Sequence, residues 1–214
     1  MAKKIFKNWD KTEAEPLLKK IEEKIHKSQP IKERITNIIW KLKLQQEKLE
    51  NVIAKLQNHD KEIFEKCVEA EMVKDDMRAA IYANECVEIR KMAKIVMFSQ
   101  LAIEKAILRL QTIQEFGDIL QGLAPVSHVI KTLKGNLSGI IPEVSYELES
   151  IGEMLNGIIV ETGKTSEIAS PVEVEGEESK KILGEASLVA EQKIRENFPE
   201  ISDTTRSLLE KNLR

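Results

Sequence analysis

The residues with the chemistry for catalysis or metal binding are few and widely spaced. The three histidines are His26, His59 and His128, and the chain has no glycine-rich phosphate loop. Glu23 and His26 form one Glu-x-x-His step, whereas a di-metal four-helix bundle needs two such steps and two further glutamates. We therefore predict that the protein is not an enzyme, and that it uses no metal, no cofactor and no small-molecule substrate.

The cysteines do not suggest redox chemistry either. Cys67 and Cys86 fall inside one predicted helix, too far apart along it to form a disulfide, which predicts buried or half-buried thiols in a reducing compartment. No apolar stretch approaches the roughly 18 residues of a membrane-spanning helix, and no signal-peptide pattern precedes the chain. These features predict a soluble cytoplasmic protein.

Charge is distributed unevenly along the chain, although the net charge is only −3. Residues 1–56 carry 14 basic and 8 acidic side chains, residues 57–139 carry 11 and 12, and residues 140–214 carry 8 and 16. The front is therefore basic by +6 and the tail acidic by −8. A basic front predicts an anionic partner, either membrane or nucleic acid, and the acidic tail could instead be its partner within the chain.

A long stretch without helix breakers occupies the middle of the chain. Between Ile31 and Phe116 there is no proline and no glycine, and good helix formers fill most positions. Residues 60–116 predict one helix of about 85 Å, at 1.5 Å per residue. Heptad spacing in its second half gives an apolar seam that requires a partner helix, and we predict that this seam is a polymer interface. The seam consists of Met92, Val96, Ser99, Ile103, Ala106, Leu110 and Ile113.

A second predicted helix, over residues 31–57, precedes the long one. Asn58, His59 and Asp60 are poor helix formers between the two, and they predict a hairpin turn. The arms of such a hairpin are unequal, so residues 88–116 extend past the shorter arm. Either the later helices or other copies of the protein must cover the seam there, which predicts a closed monomer that can open into a polymer.

Basic side chains recur at intervals of seven residues beside the apolar positions of the first arm. A seven-residue repeat keeps them on one flank of a helix. Two interpretations stay open. The row pairs with Glu62, Glu65 and Glu69 of the next helix, or it is an electrostatic surface for lipid or a neighbouring subunit. The row consists of Lys20, Lys27, Arg34, Lys41, Lys48 and Lys55.

The first nine residues, MAKKIFKNW, separate apolar and basic side chains when they are placed on a helix. This arrangement is typical of a helix that lies in a membrane interface. Each lysine contributes about 1 kcal/mol near an anionic leaflet, so one copy binds weakly and a polymer binds firmly. Residues 1–10 therefore predict an amphipathic membrane-binding helix. Its apolar side carries Ile5, Phe6 and Trp9, and its basic side carries Lys3, Lys4 and Lys7.

Shorter helices are predicted after the hairpin. Residues 161–178 are small, acidic and without periodicity, and they predict a flexible linker. The predicted fold is all-α, with a helical core over 11–160 and C-terminal regulatory and docking helices over 179–214, in an extended polymer subunit. The helices after the hairpin are predicted over 118–136 (disturbed by Pro125), 142–160, 179–198 and 202–213.

Residues 88–126, EIRKMAKIVMFSQLAIEKAILRLQTIQEFGDILQGLAPV, resemble the archaeal ESCRT-III proteins of the Cdv cell-division system. The long helical hairpin, the short acidic helices and the amphipathic N-terminal peptide share in this resemblance. It covers about residues 1–160 closely and the remainder loosely. Without the winged-helix extension of the longer family member, the chain resembles one of the shorter paralogues.

The resemblance implies filaments that assemble on the cytoplasmic face of the cell membrane at the division site, constrict the neck and drive scission. The implied partners are other copies of the chain, paralogous ESCRT-III subunits, anionic membrane, and a AAA+ ATPase of the Cdv/Vps type that disassembles the filament. In the docking segment, Arg206 stands where the family has a leucine and Leu209 where it has the arginine. The implied docking residues are Asp203, Leu208, Leu209, Leu213 and Arg214.

Two alternatives remain from the sequence. A coiled-coil scaffold or adaptor that does not polymerise needs only the hairpin. A nucleic-acid-binding protein needs a basic surface with aromatic side chains for stacking. Trp40 is the only aromatic residue in the predicted basic arm, and its neighbours Ile39 and Leu42 favour a core or interface role. We therefore predict no nucleic-acid partner.

Overall fold

The computed structural model describes residues 30–117, 119–165 and 172–198. Within these ranges the chain forms helices and turns and no strand, so the predicted all-α class is confirmed, as is the long hairpin followed by shorter helices. The N-terminal peptide, Lys20, Lys27, His26 and the docking residues after 198 lie outside the described residues. The helices are α1 (Ile31–Met72), α2 (Asp76–Phe116), α3 (Ile119–Leu137), α4 (Pro142–Thr165) and α5 (Val172–Asn197).

The hairpin turn lies at Val73, Lys74 and Asp75, not at the predicted Asn58-His59-Asp60. Lys74 has a left-handed backbone with a φ of 57°, and its N–H donates to the Glu71 carbonyl oxygen at 3.0 Å. The Asp75 side chain then caps α2 by accepting the Arg78 N–H at 3.1 Å. The turn therefore uses a lysine where left-handed backbone usually favours glycine or asparagine.

The two arms are nearly equal, with 42 residues in α1 and 41 in α2. The predicted length mismatch is therefore wrong, and α1 is long enough to reach the distal half of α2. The helix passes through Asn58 and His59 because Asp60 is buried against α2 and has a partner there. A tertiary contact overrides the weak helix propensity of this stretch.

Two glycines fix how α3 leaves α2. Gly117, with a φ of 83°, ends α2, and its N–H donates to the Ile113 carbonyl oxygen at 2.9 Å. Gly122 lies where a Cβ atom would be 2.5 Å from Ile113 Cγ1, so α3 approaches α2 closely only because the side chain is absent. Pro125, which was predicted to disturb this helix, lies inside it, and the helix continues past the proline to Leu137.

The last two helices are longer than predicted. α4 reaches Thr165 and α5 begins at Val172, so helix occupies both ends of the segment that was predicted to be a linker. Residues 166–171 lie outside the described ranges. α3 and α4 form a second hairpin whose turn is closed by the Ile141 N–H, which donates to the Leu137 carbonyl oxygen at 2.8 Å.

α2 is the central helix of the fold, because α1, α3 and α5 all pack against it. One large apolar cluster joins these helices and α4. The largest side chains in it with no exposed surface are Ile35, Ile38, Leu42, Leu49, Ile103, Leu110, Leu123, Ile130, Leu133, Leu137 and Leu148.

Candidate functional site: the acidic helices on the hairpin

The apolar seam predicted on α2 is buried within the chain itself. Met92 is half-buried and Ile113 is 4% exposed. The prediction that this seam contacts other copies stays a prediction, and in this arrangement the chain's own helices occupy the same surface. The seam residues with no exposed surface are Val96, Ser99, Ile103, Ala106 and Leu110.

Helix α4 covers the flank of α1 that carries the basic row. The Arg34 guanidinium pairs with Glu161 near the C-terminal end of α4, and Lys48 Nζ lies 2.5 Å from Glu143 Oε1 at its N-terminal end. The two contacts run in reverse order, so α4 is antiparallel to α1. Two members of the predicted basic row are therefore ion-paired within the chain.

The other members of the row are placed differently. Lys41 is half-buried and Lys55 exposed, and neither forms an ion pair with another described residue. The predicted partners Glu62, Glu65 and Glu69 belong to α1 itself because the turn comes later, so that pairing is wrong. The interpretation of the row as an electrostatic surface for lipid or a neighbouring subunit stays a prediction.

Helix α5 lies antiparallel along α2 and is held by three ion pairs on their shared edge. Lys94 Nζ lies 2.7 Å from Glu191 Oε1, and Arg109 Nη2 lies 2.9 Å from Glu178 Oε1. Lys105 pairs with Glu185 between them. Beneath this edge the contact is apolar, through side chains that are buried or half-buried. These are Ile182, Leu183, Ala186, Ala190 and Ile194.

The lysines lower the pKa of the carboxylates that they contact. The pKa values of Glu143, Glu185 and Glu191 all fall below the usual range, first because a lysine donates a hydrogen bond and then because of its charge. A lowered pKa in the folded state stabilises the fold above the ordinary carboxyl pKa, and this stabilisation is lost as pH falls through the lowered value. Acid and high salt should therefore both loosen α4 and α5.

A buried charge cluster fastens the end of α5 to the hairpin. Arg90 Nε donates to Asp60 Oδ1 at 2.8 Å and Arg90 Nη2 to Asp60 Oδ2 at 3.0 Å, a bidentate pair that joins α2 to α1. The Arg90 Cζ atom lies 5.9 Å from the ring centroid of Phe64 and 5.8 Å from that of Phe198. Phe198, which follows α5 directly, is only 6% exposed. We call these four residues the Arg90 cluster.

The Arg90 cluster joins α1 to α2 through the buried ion pair and attaches the end of α5 to them through Phe198. Asp60 is 1% exposed, and leaving a buried carboxylate without its partner typically costs about 3–5 kcal/mol. A cation over an aromatic ring adds about 0.5–2 kcal/mol. Sequence reasoning placed Asp60 in a turn and missed the cluster. The available signal was that Asp60 continues the apolar spacing of Leu49, Val52 and Leu56, where a carboxylate requires a buried cation.

The two cysteines lie on opposite arms near this cluster, so the prediction that one helix carries both is wrong. Both are buried free thiols, and their predicted burial is confirmed. The Cys67 thiol donates to the Ala79 carbonyl oxygen at 3.4 Å, and burial raises its pKa. Burial, followed by the charge of Asp60, raises the pKa of Cys86 to about 12. Thiols with so little thiolate at neutral pH are poor nucleophiles.

The remaining candidate residues lie on the surface. His59 and His128 are exposed, and no three His, Cys, Asp or Glu side chains among the described residues are grouped to bind a metal ion. Trp40 is 59% exposed on α1, which rules out the predicted core role and leaves the interface role. None of the described helices combines the length and the apolarity that crossing a membrane requires.

Comparison with known proteins finds relatives that include two cell division proteins. Cell division protein B1 of Sulfolobus acidocaldarius is 46% identical over 145 residues, which are 68% of this chain and 68% of that protein. Cell division protein B of the same organism is 42% identical over 145 residues, 68% of this chain and 56% of that protein. No protein-family model matches the chain, and no solved structure matches it.

The fold and its charged interfaces define a class of all-helical proteins in which acidic helices fold back on a long hairpin. The match with Cell division protein B1, which is 46% identical over 68% of both chains, then identifies the family. It belongs to the archaeal cell division protein B family, so the predicted resemblance to the Cdv cell-division proteins is confirmed. Both relatives are named for cell division and not for a reaction.

Phe198→Ala should release the end of α5 while the hairpin stays folded. The variant loses the ring over Arg90 and a buried aromatic side chain, which lowers the local opening free energy by about 2–3 kcal/mol. Amide hydrogen exchange over 186–197 should therefore rise about 30- to 150-fold, with exchange over 35–49 unchanged. Leu188→Ala, at a position 70% exposed on the same helix, is the control and should change neither. Equal exchange in the two variants would contradict the assignment.

Proposed function

We propose that the protein is an ESCRT-III-type filament subunit that assembles on the cytoplasmic face of the membrane at the archaeal division site and drives constriction and scission. Paralogous subunits co-assemble with it, and a AAA+ ATPase remodels the filament. Membership of the cell division protein B family supports a role in archaeal cell division. The assembly step rests on one observation, which is that α5 covers an apolar and basic side of α2 through a solvent-exposed edge of ion pairs.

The side of α2 beneath α5 has the composition of an interface. Lys94, Lys105 and Arg109 lie on it, and helical periodicity places Phe98 and Leu101 between them. α1 and α2 pack directly on each other, so α5 can leave without the hairpin unfolding once its apolar contacts are replaced. Its exposed ion pairs each contribute little and are screened by salt. A second copy of the chain then covers the side of α2 that α5 has vacated. The predicted seam itself stays packed inside the hairpin unless the other helices move as well.

A scaffold or adaptor that does not polymerise is the second candidate, and a specific observation favours it. Apart from the half-buried Met92, the α2 seam is buried within one chain, so a single molecule has an apolar core without any other copy. The two candidates differ in whether α5 is a releasable cover or a permanent part of the core. They make opposite predictions for variants that weaken only its charged edge.

Replacing Glu178, Glu185 and Glu191 with glutamine should promote assembly. The triple variant removes the carboxylates that face Arg109, Lys105 and Lys94, so α5 is released more easily. In sedimentation and electron microscopy with anionic liposomes, filaments should form at a lower protein concentration than for the unmodified protein.

The control for this variant replaces Glu104, Glu153 and Glu177 with glutamine. These three are exposed and form no ion pair with any described residue, and the change in net charge is the same. Earlier assembly in the control as well would assign the effect to net charge. Discrete particles for every variant at all concentrations would favour the scaffold.

Phe6→Asp combined with Trp9→Asp should abolish pelleting with anionic liposomes and leave helical content intact. The two changes place carboxylates on the apolar side of the N-terminal peptide, which is proposed to enter the membrane interface. Tyr146→Asp with Leu188→Asp is the control, since both positions are about 70% exposed on α4 and α5 and the charge change is equal. Unchanged pelleting of the Phe6/Trp9 variant would remove the role assigned to this peptide.

A further inference from the structure

Gln45 is the one polar residue in the heptad series with which α1 packs on the rest of the fold. It is buried, as Leu42 and Leu49 on either side of it are, with 3% of its surface exposed. Its side-chain oxygen Oε1 is also buried and has no hydrogen-bond partner among the described residues. Folded proteins contain few such atoms, and each one opposes the packing that buries it. The series consists of Ile31, Ile35, Ile38, Leu42, Gln45, Leu49, Val52 and Leu56.

Gln45 lies on the side of α1 that α4 covers. Arg34 and Lys48 hold the two ends of α4, and Gln45 is eleven residues after the first and three before the second. Spacings of three and eleven residues return to nearly the same side of a helix. The one buried polar residue described on α4 is Ser145, whose hydroxyl donates to the Lys134 carbonyl oxygen at 2.9 Å. α4 therefore covers the Gln45 oxygen without giving it a donor.

α2, on the other side of Gln45, gives it no donor either. Two polar pairs show how α2 is aligned with α1. Gln114 Nε2 donates to Thr36 Oγ1 at 2.6 Å, and Gln100 Nε2 donates to Glu50 Oε1 at 2.9 Å. Gln45 is thus opposite the stretch of α2 between the two glutamines, where every buried residue is apolar. Its amide oxygen lost water on folding and gained no hydrogen bond in return.

A second unsatisfied atom lies under the other acidic helix. Within the ranges that the structure describes, one other buried side-chain nitrogen or oxygen lacks a partner, and it is Arg109 Nε. Arg109 lies on the side of α2 that α5 covers, where its Nη2 atom pairs with Glu178. The buried pair of Asp60 and Arg90, which joins the arms to each other, is by contrast fully bidentate. Unsatisfied polar atoms are therefore found where α4 and α5 cover the hairpin.

We propose that Gln45 makes α4 a releasable cover of α1. Its unsatisfied oxygen weakens the contact of α4 with the hairpin, and water hydrogen-bonds to this oxygen when α4 lifts. The ion pairs of Arg34 and Lys48 are at exposed edges and hold α4 only weakly. An apolar residue at position 45 would hold α4 more firmly. The proposal concerns a single molecule, so it holds whether the protein forms filaments or acts as a scaffold.

The test measures how often α4 lifts, from the reactivity of a thiol buried beneath it. Val144→Cys places this thiol on α4 at a position that is 1% exposed, next to Glu143, which pairs with Lys48. Dithionitrobenzoate then modifies it only while α4 is lifted. Adding Gln45→Leu should slow the modification at least about fivefold, because no unsatisfied oxygen is left. Adding Gln45→Glu should accelerate it, because a carboxylate is more costly to bury than an amide.

Gln46→Leu is the matched control, since it makes the same chemical change at the half-buried next position and should leave the rate unaltered. The buried thiols of Cys67 and Cys86 report opening of the hairpin in the same reaction, and mass spectrometry identifies which thiol is modified. Gln45→Leu should slow them less than the thiol at position 144. Equal rates with and without Gln45→Leu would overturn the proposal. Equal slowing at all three thiols would also overturn it, because the substitution would then stabilise the whole fold and not the α4 contact.

Discussion

The structure depends on covering α2. Sixteen of its 41 residues are buried, and they are distributed over more than one side of the helix. A helix that is apolar over most of its circumference is stable in water only when several neighbours surround it. α1, α3 and α5 meet this requirement from within one chain. The other features of the fold, from the close approach at Gly122 to the antiparallel course of α5, follow from placing three helices around one.

The covers differ in how firmly they are attached. α1 is joined to α2 by the turn, by extensive apolar packing and by the buried pair of Asp60 and Arg90. α4 and α5 share the apolar core too, but their charged contacts are at exposed edges, where acidic side chains of the tail meet basic side chains of the hairpin. Part of the uneven charge of the sequence is therefore paired within the chain. Salt screens ion pairs at exposed edges, whereas it screens a buried pair much less.

Much of this fold could be predicted because long helices can be recognised in a sequence from the absence of helix breakers and from the spacing of apolar residues. The absence of glycine and proline between Ile31 and Phe116 indicated the hairpin, and heptad spacing correctly indicated which side of α2 is apolar. The position of the turn could not be predicted from glycine or proline, because the residue with a left-handed backbone there is Lys74. The Asp75-Asp76 pair was a usable sign, because Asp75 caps α2 and Asp76 lies in its first turn.

The wrong position predicted for the turn also led to a wrong prediction of what covers the α2 seam. With a turn at residue 60 the arms are unequal and the seam needs other molecules, but with a turn at 74 the seam is covered by the same chain. Helix propensity cannot distinguish these arrangements, because the deciding contact of Asp60 with Arg90 joins residues 30 apart. The ion pairs of α4 and α5 were beyond reach for the same reason, although the acidic composition of the tail suggested an intramolecular partner.

The proposed assembly requires that α5 is a releasable cover of α2. The most direct measurement is the distance between spin labels at Leu108 on α2 and Leu188 on α5, both exposed, in the 214-residue chain with Cys67 and Cys86 replaced by alanine. Labelled protein diluted with unlabelled protein should give one short, narrow distribution in solution. It should give a longer distribution after assembly on anionic liposomes. Filaments in which the distance between the two labels stays short would contradict the release of α5.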